Sequence, residues 1–325
     1  MVGEPSLQEA SRLGILRGES LKRLGWSEAT ANARIQLAES VGDGRRIRTR
    51  LAYRVSSIGN VTLGYRRRQS HAIAPLTRCE VVVESINATI VALREHLATL
   101  GGQGEVTLVA GGATMEEVAG WVAPDRGPGH TFGPETVTVD IDQVVQHVDP
   151  RGFVQAVPAV ATQIADAVQR LAEDVGGTHA VELFAGSGAL TTALWRAGYH
   201  VTAYELDQAA RARFDIRQKA AGVPAEQAAW HAVDLLGLGI LTPAPVQAPD
   251  VVLLDPPRAG AAAMIAWLRH SGAKAIAYVS CDAATGFRDL AAICDGGHYE
   301  VVRITGFDMF PHTGHQEMLA EVRAV

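Results

Sequence analysis

The part of the chain after Pro150 constrains the fold most, because apolar runs of strand length alternate there with segments of helical spacing. The predicted strands are residues 180–184, 200–204, 228–233, 251–254, 273–279, 299–307 and 318–325. The predicted helices are residues 157–172, 189–197, 208–221, 261–270 and 285–293. Near-continuous apolar strands that alternate with helices predict a mostly parallel sheet covered on both faces, which is a Rossmann-like α/β domain.

The part before residue 147 shows a different pattern and predicts a smaller α+β module. Helical spacing covers residues 8–24 and 86–100, and strand patterns cover residues 46–55, 61–66, 106–110 and 136–141. A Gly/Pro-rich loop is predicted at residues 123–133. We therefore predict two domains, residues 1–146 and residues 147–325.

Charge divides the chain in a similar way. Residues 1–80 carry 14 Lys+Arg and 7 Asp+Glu, a net of +7, and the remaining residues carry 15 and 28, a net of −13, which together give the −6 of the whole chain. Arginine forks match phosphate oxygens, and aromatic faces stack on unpaired bases. RNA contact is predicted for Arg45, Arg46, Arg48, Arg50, Arg66, Arg67 and Arg68, with Tyr53 and Tyr65 among them. The alternative is an arginine-rich hairpin solvated on one face.

Bulk composition bounds the class of protein. Apolar residues make up 47% of the chain and charged residues 20%, as in soluble globular proteins. No apolar run approaches the ~20 residues of a membrane-spanning helix, and the first ten residues lack the apolar core of a signal peptide. With only three cysteines (Cys79, Cys281 and Cys294), a reducing cytoplasm is expected. No protein partner is predicted.

A glycine-containing loop follows the first predicted strand of the second domain. Gly186 and Gly188 let the backbone turn tightly and approach a ligand. Glu205, at the end of the next strand, is about where an acid would bind ribose hydroxyls, and Asp234 ends the following strand. The alternatives are an ordinary tight turn and, for Glu205, a helix-capping role. NAD and S-adenosylmethionine sites share this pattern, although the short glycine motif does not form a full pyrophosphate cradle.

Three later residues favour S-adenosylmethionine and pyrimidine chemistry. Asp255 begins an Asp-Pro-Pro-Arg sequence at a strand end, Cys281 follows the next strand, and Glu317 precedes the last strand. Carbon 5 of uracil becomes nucleophilic when a thiolate adds to carbon 6, and a base must then remove the carbon-5 proton. Cys281, Glu317 and Asp255 can supply the thiolate, the base and a hydrogen bond to uracil.

Two other interpretations apply to these residues: a buried core cysteine and a metal site. Free cysteine is often a core residue, which suits Cys294 among its apolar neighbours better than Cys281 between Ser280 and Asp282. His312 and His315 with Glu317 have some metal-ligand character. They lack a companion ligand cluster, so no metal site is predicted.

These residues together resemble the RNA (uracil-5-)-methyltransferase family over residues 150–325. The matching motifs are Phe153-Val154-Gln155, the loop Leu183 to Gly188, Glu205, the D-P-P-R-x-G of Asp255 to Gly260, Ser280-Cys281, and the F-P-H-T-x-H-x-E of Phe310 to Glu317. The resemblance implies that Cys281 is the nucleophile and Glu317 the proton-abstracting base. It also implies that S-adenosylmethionine and the target base lie among Gln155, Phe184, Glu205, Asp234 and Asp255. Gly186 and Gly188 of the matching loop are predicted to contact the cofactor, and Arg258 is predicted to contact RNA.

The chain departs from the family pattern at four positions. Asparagines usual in the family are replaced by Val157, Ala189 and Asp282, and Ala283 replaces a proline. Cys79 matches the fourth ligand of the iron–sulfur cluster that some members bind, but the other three cysteines have no counterpart, so no cluster is predicted. No N-terminal β-barrel RNA-binding domain is expected either.

The sequence therefore predicts S-adenosylmethionine-dependent methylation of uridine carbon 5 in tRNA or rRNA through a covalent cysteine–carbon-6 adduct. One alternative is a methyltransferase acting on a small pyrimidine. The other is a catalytically degenerate RNA-binding protein, which the replaced asparagines allow.

Overall fold

The computed structural model describes residues 6–67, 70–141, 144–152, 154–237, 239–313 and 315–325. These form two compact units. Unit A combines residues of Met1–Ser40 with Thr162–Val325, and unit B is Val41–Ala161. The predicted domains 1–146 and 147–325 concern parts that would fold alone, and they stay a prediction. Within the described residues, no helix is both long and apolar enough to span a membrane.

Helices and strands follow the chain in this order. The helices are α1 Leu7–Leu24, α2 Glu28–Arg34, α3 Glu84–Leu100, α4 Pro158–Val175, α5 Thr191–Arg196, α6 Gln208–Ala220, α7 Ile265–His270 and α8 Ala283–Cys294. The strands before α4 are β1 Ile35–Leu37, β2 Arg48–Val55, β3 Val61–Arg66, β4 Ile73–Pro75, β5 Gln103–Gly111, β6 Glu117–Pro124, β7 His130–Phe132, β8 Val137–Ile141 and β9 Val144–Val148. The later strands are β10 His179–Leu183, β11 His200–Glu205, β12 Ala228–Ala232, β13 Val251–Leu254, β14 Ala275–Ser280, β15 Tyr299–Phe307 and β16 Glu317–Ala324.

Unit A contains an eight-stranded sheet in the order β1-β15-β16-β14-β13-β10-β11-β12. All of its pairs are parallel except the two made by β16, which runs antiparallel to β14 and β15. The chain leaves β10 toward β12 on one side and returns to β13 on the other. The carboxyl ends of β10 and β13 therefore form the switch point where such sheets bind ligands. The predicted α/β fold class is confirmed.

Burial explains why the central strands read as continuous apolar runs. Every residue of β13 and β14 is buried, as are the last four of β10. Strands covered on both faces have no solvated side to alternate with. The core of unit A extends to Leu16 of α1 and Ile35 of β1.

Residues before Ser40 add to this sheet, which the sequence did not indicate. β1 pairs in parallel with β15 at its edge, with Ile35 opposite Ile304. Neither α2 nor β1 was predicted, because a seven-residue helix followed by a three-residue strand has too few positions to show a period.

Unit B contains a six-stranded antiparallel sheet in the order β4-β3-β2-β5-β6-β7 and a separate β8–β9 pair. Leu93 and Leu97 of α3 pack into its core with Leu108 and Val122. β7 lies inside the segment 123–133 predicted as a loop, so that prediction was wrong there. Its three residues pair with Gly120 to Val122 of β6, a long-range contact that Gly/Pro composition does not reveal.

Candidate active site

Three predicted catalytic residues meet at one edge of the unit A sheet. Asp255 directly follows β13 and Cys281 directly follows β14. Because β16 is antiparallel to β14, with Met318 paired to Ser280, its first residue Glu317 lies at the same edge as Cys281. The sheet thus brings Asp255, Cys281 and Glu317 together, although their catalytic roles stay a prediction.

The Glu317 carboxyl group is buried without a protein partner for one of its oxygens. The residue is 8% exposed, and its Oε2 makes no hydrogen bond within the described part of the chain. Burial, and secondarily the charge of Asp255, raise the pKa of Glu317 to about 8, against the opposing charge of Arg258. The group can therefore hold a proton at neutral pH and become a base as the pH rises.

Cys281 is half-buried at the start of α8. Burial, followed by the charges of Glu317 and Asp255, raises the pKa of the Cys281 thiol, while the charge and a hydrogen bond of Arg258 lower it. Cys294 shows a different setting, since burial raises the pKa of its thiol to about 11. Of these two thiols, that of Cys281 has a cation, Arg258, beside it that can stabilise a thiolate.

Asp255 and Arg258 complete this group. Burial raises the pKa of Asp255 to about 6. Arg258 is exposed, and its charge acts on both Cys281 and Glu317. Arg258 was predicted only as an RNA contact, and that contact stays a prediction. Its position beside the thiol was not anticipated.

A buried acid that the sequence analysis missed fixes the loop that carries Arg258. Asp289 of α8 is 1% exposed and accepts hydrogen bonds from Ala261 N at 2.7 Å and Tyr278 Oη at 2.6 Å. Arg288 donates to the carbonyl of Ala259 at 2.9 Å. A Cβ on Gly260 would lie 2.4 Å from Asp289 Oδ2, so only glycine fits. The sequence signal that could have identified Asp289 was an acid on the otherwise apolar face of α8.

The glycine loop after β10 has the backbone expected of a ligand-binding turn. Gly186 and Gly188 have φ of +53° and +79°. Phe184 also has a positive φ, of 60°, which costs a non-glycine residue about 1–2 kcal/mol. Strain of this kind is found at sites that bind ligands.

Glu205 joins this loop to the next strand. Its Oε2 accepts from Gly186 N at 2.9 Å, and its Oε1 accepts from Leu206 N at 2.8 Å and Asp207 N at 2.9 Å. Asp207, rather than Glu205, is the N-cap of α6. Oε1 uses two acceptor sites, and Oε2 keeps capacity for a further donor such as a hydroxyl.

Glu182 of β10 is a second buried acid that the sequence analysis did not select. It is 3% exposed and accepts a hydrogen bond from Thr191 Oγ1. Burial raises the pKa of Glu182 to about 8, the Thr191 bond lowers it, and the charge of Asp255 raises it further. A single acid inside an apolar strand was the signal that could have found it.

Asp234 and Gln155 are the other two predicted cofactor residues. Asp234 is exposed, and its Oδ1 accepts from Leu236 N and Gly237 N, both at 3.0 Å. Gln155 is half-buried in unit B. Phe153, next to it in the motif, lies outside the described residues. The cofactor roles of Asp234 and Gln155 stay predictions.

Two departures from the family pattern have structural substitutes. Asp282 is the N-cap of α8 and accepts from Thr285 N at 2.8 Å, a role that asparagine and aspartate share. Ala283 takes the first helical position, where proline is favoured but not required. Val157 is 1% exposed, so an apolar side chain is buried where the family has an amide.

The predicted RNA-binding arginines of unit B differ in their partners. Arg50 and Arg66 both pair with Glu105, at 3.8 and 3.3 Å. Burial, and then neighbouring arginines, lower the pKa of Arg48, and Arg46 donates to the Arg48 carbonyl at 2.7 Å. Arg45 and Arg67 are exposed, and Arg68 lies outside the described residues.

In the described ranges, no three His, Cys, Asp or Glu side chains are grouped as a metal site requires. The Cys79 thiol contacts Tyr65 Oη at 3.4 Å.

Comparison with known proteins identifies relatives that are named as RNA uracil-C5-methyltransferases. No protein-family model matches the chain. The chain is 32% identical to the 23S rRNA (uracil(1939)-C(5))-methyltransferase RlmD of Halomonas elongata, over 87% of this chain and 66% of that protein. It is 30% identical to the RlmD of Cronobacter sakazakii, over 86% of this chain and 70% of that protein. The chain thus spans about two thirds of the length of such relatives.

A solved structure shares the fold. The tRNA (uracil-54, C5)-methyltransferase of Pyrococcus abyssi, in complex with S-adenosyl-L-homocysteine, superposes with a TM-score of 0.74. The match covers 97% of this chain and 83% of that one, at 20% sequence identity. At that identity the likeness establishes the fold of the chain.

Proposed function

Because the chain belongs to the RNA uracil-C5-methyltransferase family, we propose that it methylates carbon 5 of a uridine in RNA, with S-adenosylmethionine as methyl donor. The observation that carries this proposal is the meeting of Cys281, Glu317 and Asp255 at the carboxyl edge of the sheet. A thiol, an unpartnered buried carboxyl group and a second acid are what the reaction at carbon 5 requires.

The residues of the glycine loop fit the methyl donor. Gly186 and Gly188 leave room for close approach of a ligand, and Glu205 keeps an acceptor for a ribose hydroxyl. The residues that would hold the donor are Gln155, Phe184, Gly186, Gly188, Glu205, Asp234 and Asp255. When bound, S-adenosylmethionine supplies an electrophilic methyl group on a sulfonium ion.

Cys281 starts the chemistry in this proposal. Its thiolate adds to carbon 6 of uracil, which leaves carbon 5 enolate-like and able to accept a methyl group. Arg258 favours the thiolate, because it is the cation beside a thiol whose pKa is otherwise raised by burial and by two acids. In this proposal Asp255 hydrogen-bonds the ring of the base.

Glu317 completes the reaction. After carbon 5 carries the methyl group, the carboxylate removes the carbon-5 proton, and the Cys281–carbon-6 bond breaks to release the thiolate and the methylated base. A pKa of about 8 suits this step, since the group can accept and then lose a proton near neutral pH.

In this proposal, RNA binds through contacts to its phosphates and presents the target uridine as an extruded base. The ring of a paired uridine is inaccessible in a duplex, so the target must be flipped out or lie in a single-stranded loop. The arginines of unit B supply cationic contacts for the RNA backbone.

The test is to trap the adduct. RNA containing 5-fluorouridine is incubated with the protein and S-adenosylmethionine, and SDS-resistant complexes are analysed by mass spectrometry. Fluorine cannot leave as a proton, so a methylated uridine attached to the Cys281 peptide is expected, and Cys281→Ala gives the blank.

Other outcomes identify the rival functions. RNA binding without any adduct across diverse RNA pools would contradict the proposal and favour an RNA-binding protein without catalysis. Trapping by a free 5-fluorouridine nucleotide that matches trapping by RNA would point to a small pyrimidine substrate.

A further inference from the structure

The loop 308–316, between β15 and β16, ends at Glu317. Its turn is held from within, because Thr313 Oγ1 accepts from His315 N at 3.2 Å and donates to the carbonyl of Phe310 at 2.8 Å. His312 takes a left-handed backbone conformation with φ of 61°. These hydrogen bonds join Phe310, Thr313 and His315 to one another and do not reach the strand that precedes Cys281.

The first helix of the chain contacts this loop. Arg12 of α1 forms an ion pair with Asp308, with side chains only 5% and 11% exposed. Gln8 lies 2.9 Å from His312 Nδ1 through its Nε2. Gln316 Nε2 donates to the carbonyl of Arg12 at 3.3 Å. The helix therefore holds the loop at its start, its middle and the residue before Glu317.

The buried face of α1 carries a charged residue as well as apolar ones. The buried positions of the helix are Arg12, Leu16 and Ser20, whereas Leu7 is 93% exposed. A charged residue in the middle of a buried stripe is costly unless it is paired. Asp308 provides that pair.

Close packing adds to the hydrogen bonds. Gly306, two residues before Asp308, is closely surrounded by side chains. An added Cβ would lie 3.0 Å from Leu16 of α1, 2.8 Å from Leu37 of β1 and 3.0 Å from Gln316 Oε1. The N-terminal segment, the end of β15 and the residue before Glu317 thus meet at this point.

Within the described part of the chain, one oxygen of the Glu317 carboxyl group has no hydrogen bond to fix its direction. Its Oε2 is buried without a hydrogen-bond partner in the described ranges. The place of the carboxyl group is therefore set by the backbone on either side, by β16 after it and by Gln316 before it.

We propose that α1 is a positioning element for Glu317, and that the Arg12–Asp308 ion pair is its main link to the loop. This inference rests on the proposed function, since it assigns α1 to the step in which Glu317 removes the carbon-5 proton. Loosening the link slows release of the adduct and leaves formation of the adduct intact.

The first test compares Arg12→Met with Arg23→Met. Arg23 lies on the same helix and pairs with Glu19 at 2.9 Å on the more exposed side, so it controls for loss of a helical arginine. With unmodified uridine RNA, Arg12→Met is expected to lower turnover about 100-fold, the scale of a 1 Å misplacement, and to accumulate the SDS-resistant adduct. Arg23→Met is expected to stay within about 2-fold, as for an exposed ion pair.

The charge-reversed pair guards against simple unfolding. Arg12→Asp and Asp308→Arg are each expected to lose turnover, and the double variant is expected to regain about tenfold over either one, because an opposite-charge pair is restored. Lower turnover without adduct accumulation, or no gain in the double variant, would overturn the proposal.

A readout without RNA separates this inference from the proposed function. Amide hydrogen exchange in peptides spanning 308–317 is expected to quicken in Arg12→Met and to stay unchanged in Arg23→Met. If wild-type protein forms no adduct, the proposed function fails, yet quickened exchange still shows that α1 orders this loop. Unchanged exchange in Arg12→Met overturns the positioning role whatever the activity.

Discussion

Ionisable groups are buried in one region of the molecule and exposed in another. The first region is the carboxyl edge of the unit A sheet, and the second is the arginine-bearing strands of unit B. At the sheet edge, Glu317, Asp255 and Glu182 are acids whose pKa is raised by burial. On unit B, Arg50 and Arg66 lie at the surface and share Glu105 as a partner. In the first region, burial makes ionisation of the acids unfavourable. In the second, solvated arginines are paired with an acid.

This difference in burial determines how strongly a single substitution should affect activity or RNA binding. A buried ionisable group lacks the screening of water, so its chemistry depends on a few neighbours. A surface arginine is screened, and each contributes modestly to binding of a polyanion. Predictions for the sheet edge therefore concern loss of a reaction, and those for unit B concern graded changes in affinity.

The largest effect is expected for Cys281→Ala. Removal of the nucleophile should lower turnover by about 10⁴-fold or more and abolish trapping by 5-fluorouridine RNA. Cys294→Ala is the matched control, because Cys294 is packed against the core and should leave trapping intact. Normal turnover in Cys281→Ala would remove the thiol from the mechanism.

Glu317→Gln should give the next largest effect, and a different one. The amide keeps the size of the side chain but cannot take a proton, so turnover should fall by about 10²- to 10⁴-fold. The adduct with ordinary uridine should form and persist, which gel shift in SDS measures. A variant that loses adduct formation as well would mean that Glu317 acts before the proton is removed.

The pH dependence of turnover should follow the ionisation of Glu317. Because the pKa of Glu317 is raised to about 8, the carboxylate is the minor form at pH 7 and becomes the major form above pH 8. The rate at which the adduct is released should therefore rise with pH by about tenfold per unit below that value. In Arg258→Met the rise should move to higher pH, because Arg258 lowers the pKa of Glu317. An unchanged or falling profile would contradict the assignment.

Alkylation of the thiols tests the same electrostatics without RNA. Glu317 raises the pKa of Cys281 and Arg258 lowers it. Above pH 8, where the Glu317 carboxylate is the major form, Glu317→Gln should therefore quicken the reaction of Cys281 with iodoacetamide, and Arg258→Met should slow it. The change should be several-fold, as for a single neighbouring charge near a surface. Cys294 in the same sample, measured by mass spectrometry, is the internal reference and should keep its rate.

The smallest effect is expected in unit B. Glu105→Gln leaves Arg50 and Arg66 without their shared acid, so RNA binding should tighten about 2- to 5-fold, the scale of one or two exposed ion pairs, with a steeper dependence on salt. Glu116→Gln makes the same charge change at the opposite end of the β5–β6 hairpin and should have less effect. Equal effects of the two would mean that only net charge matters.

Local pattern predicted most of the regular structure. The strands at residues 61–66, 251–254 and 299–307 have the predicted bounds, and α6 and α8 differ by one or two residues at an end. β13 is fully buried and β15 is nine residues long, so hydrophobic spacing marks these two strands clearly. Glycines, acids and the thiol at strand ends also follow from the sequence, because parallel strands expose their carboxyl ends at one edge.

Tertiary structure decided the remainder. β1 joins the sheet through three pairs with β15, and Glu317 lies beside Cys281 because β16 runs antiparallel to β14. Neither pairing leaves a local signal, since strand partners are chosen by contacts distant in sequence. The raised pKa values of Glu317 and Asp255, and the pairing of Arg12 with Asp308, arise only when folding removes water from those groups. The sequence alone determined which chemical groups stand at the ends of which strands, and burial in the folded chain decided which of them are neighbours and how strongly they hold their protons.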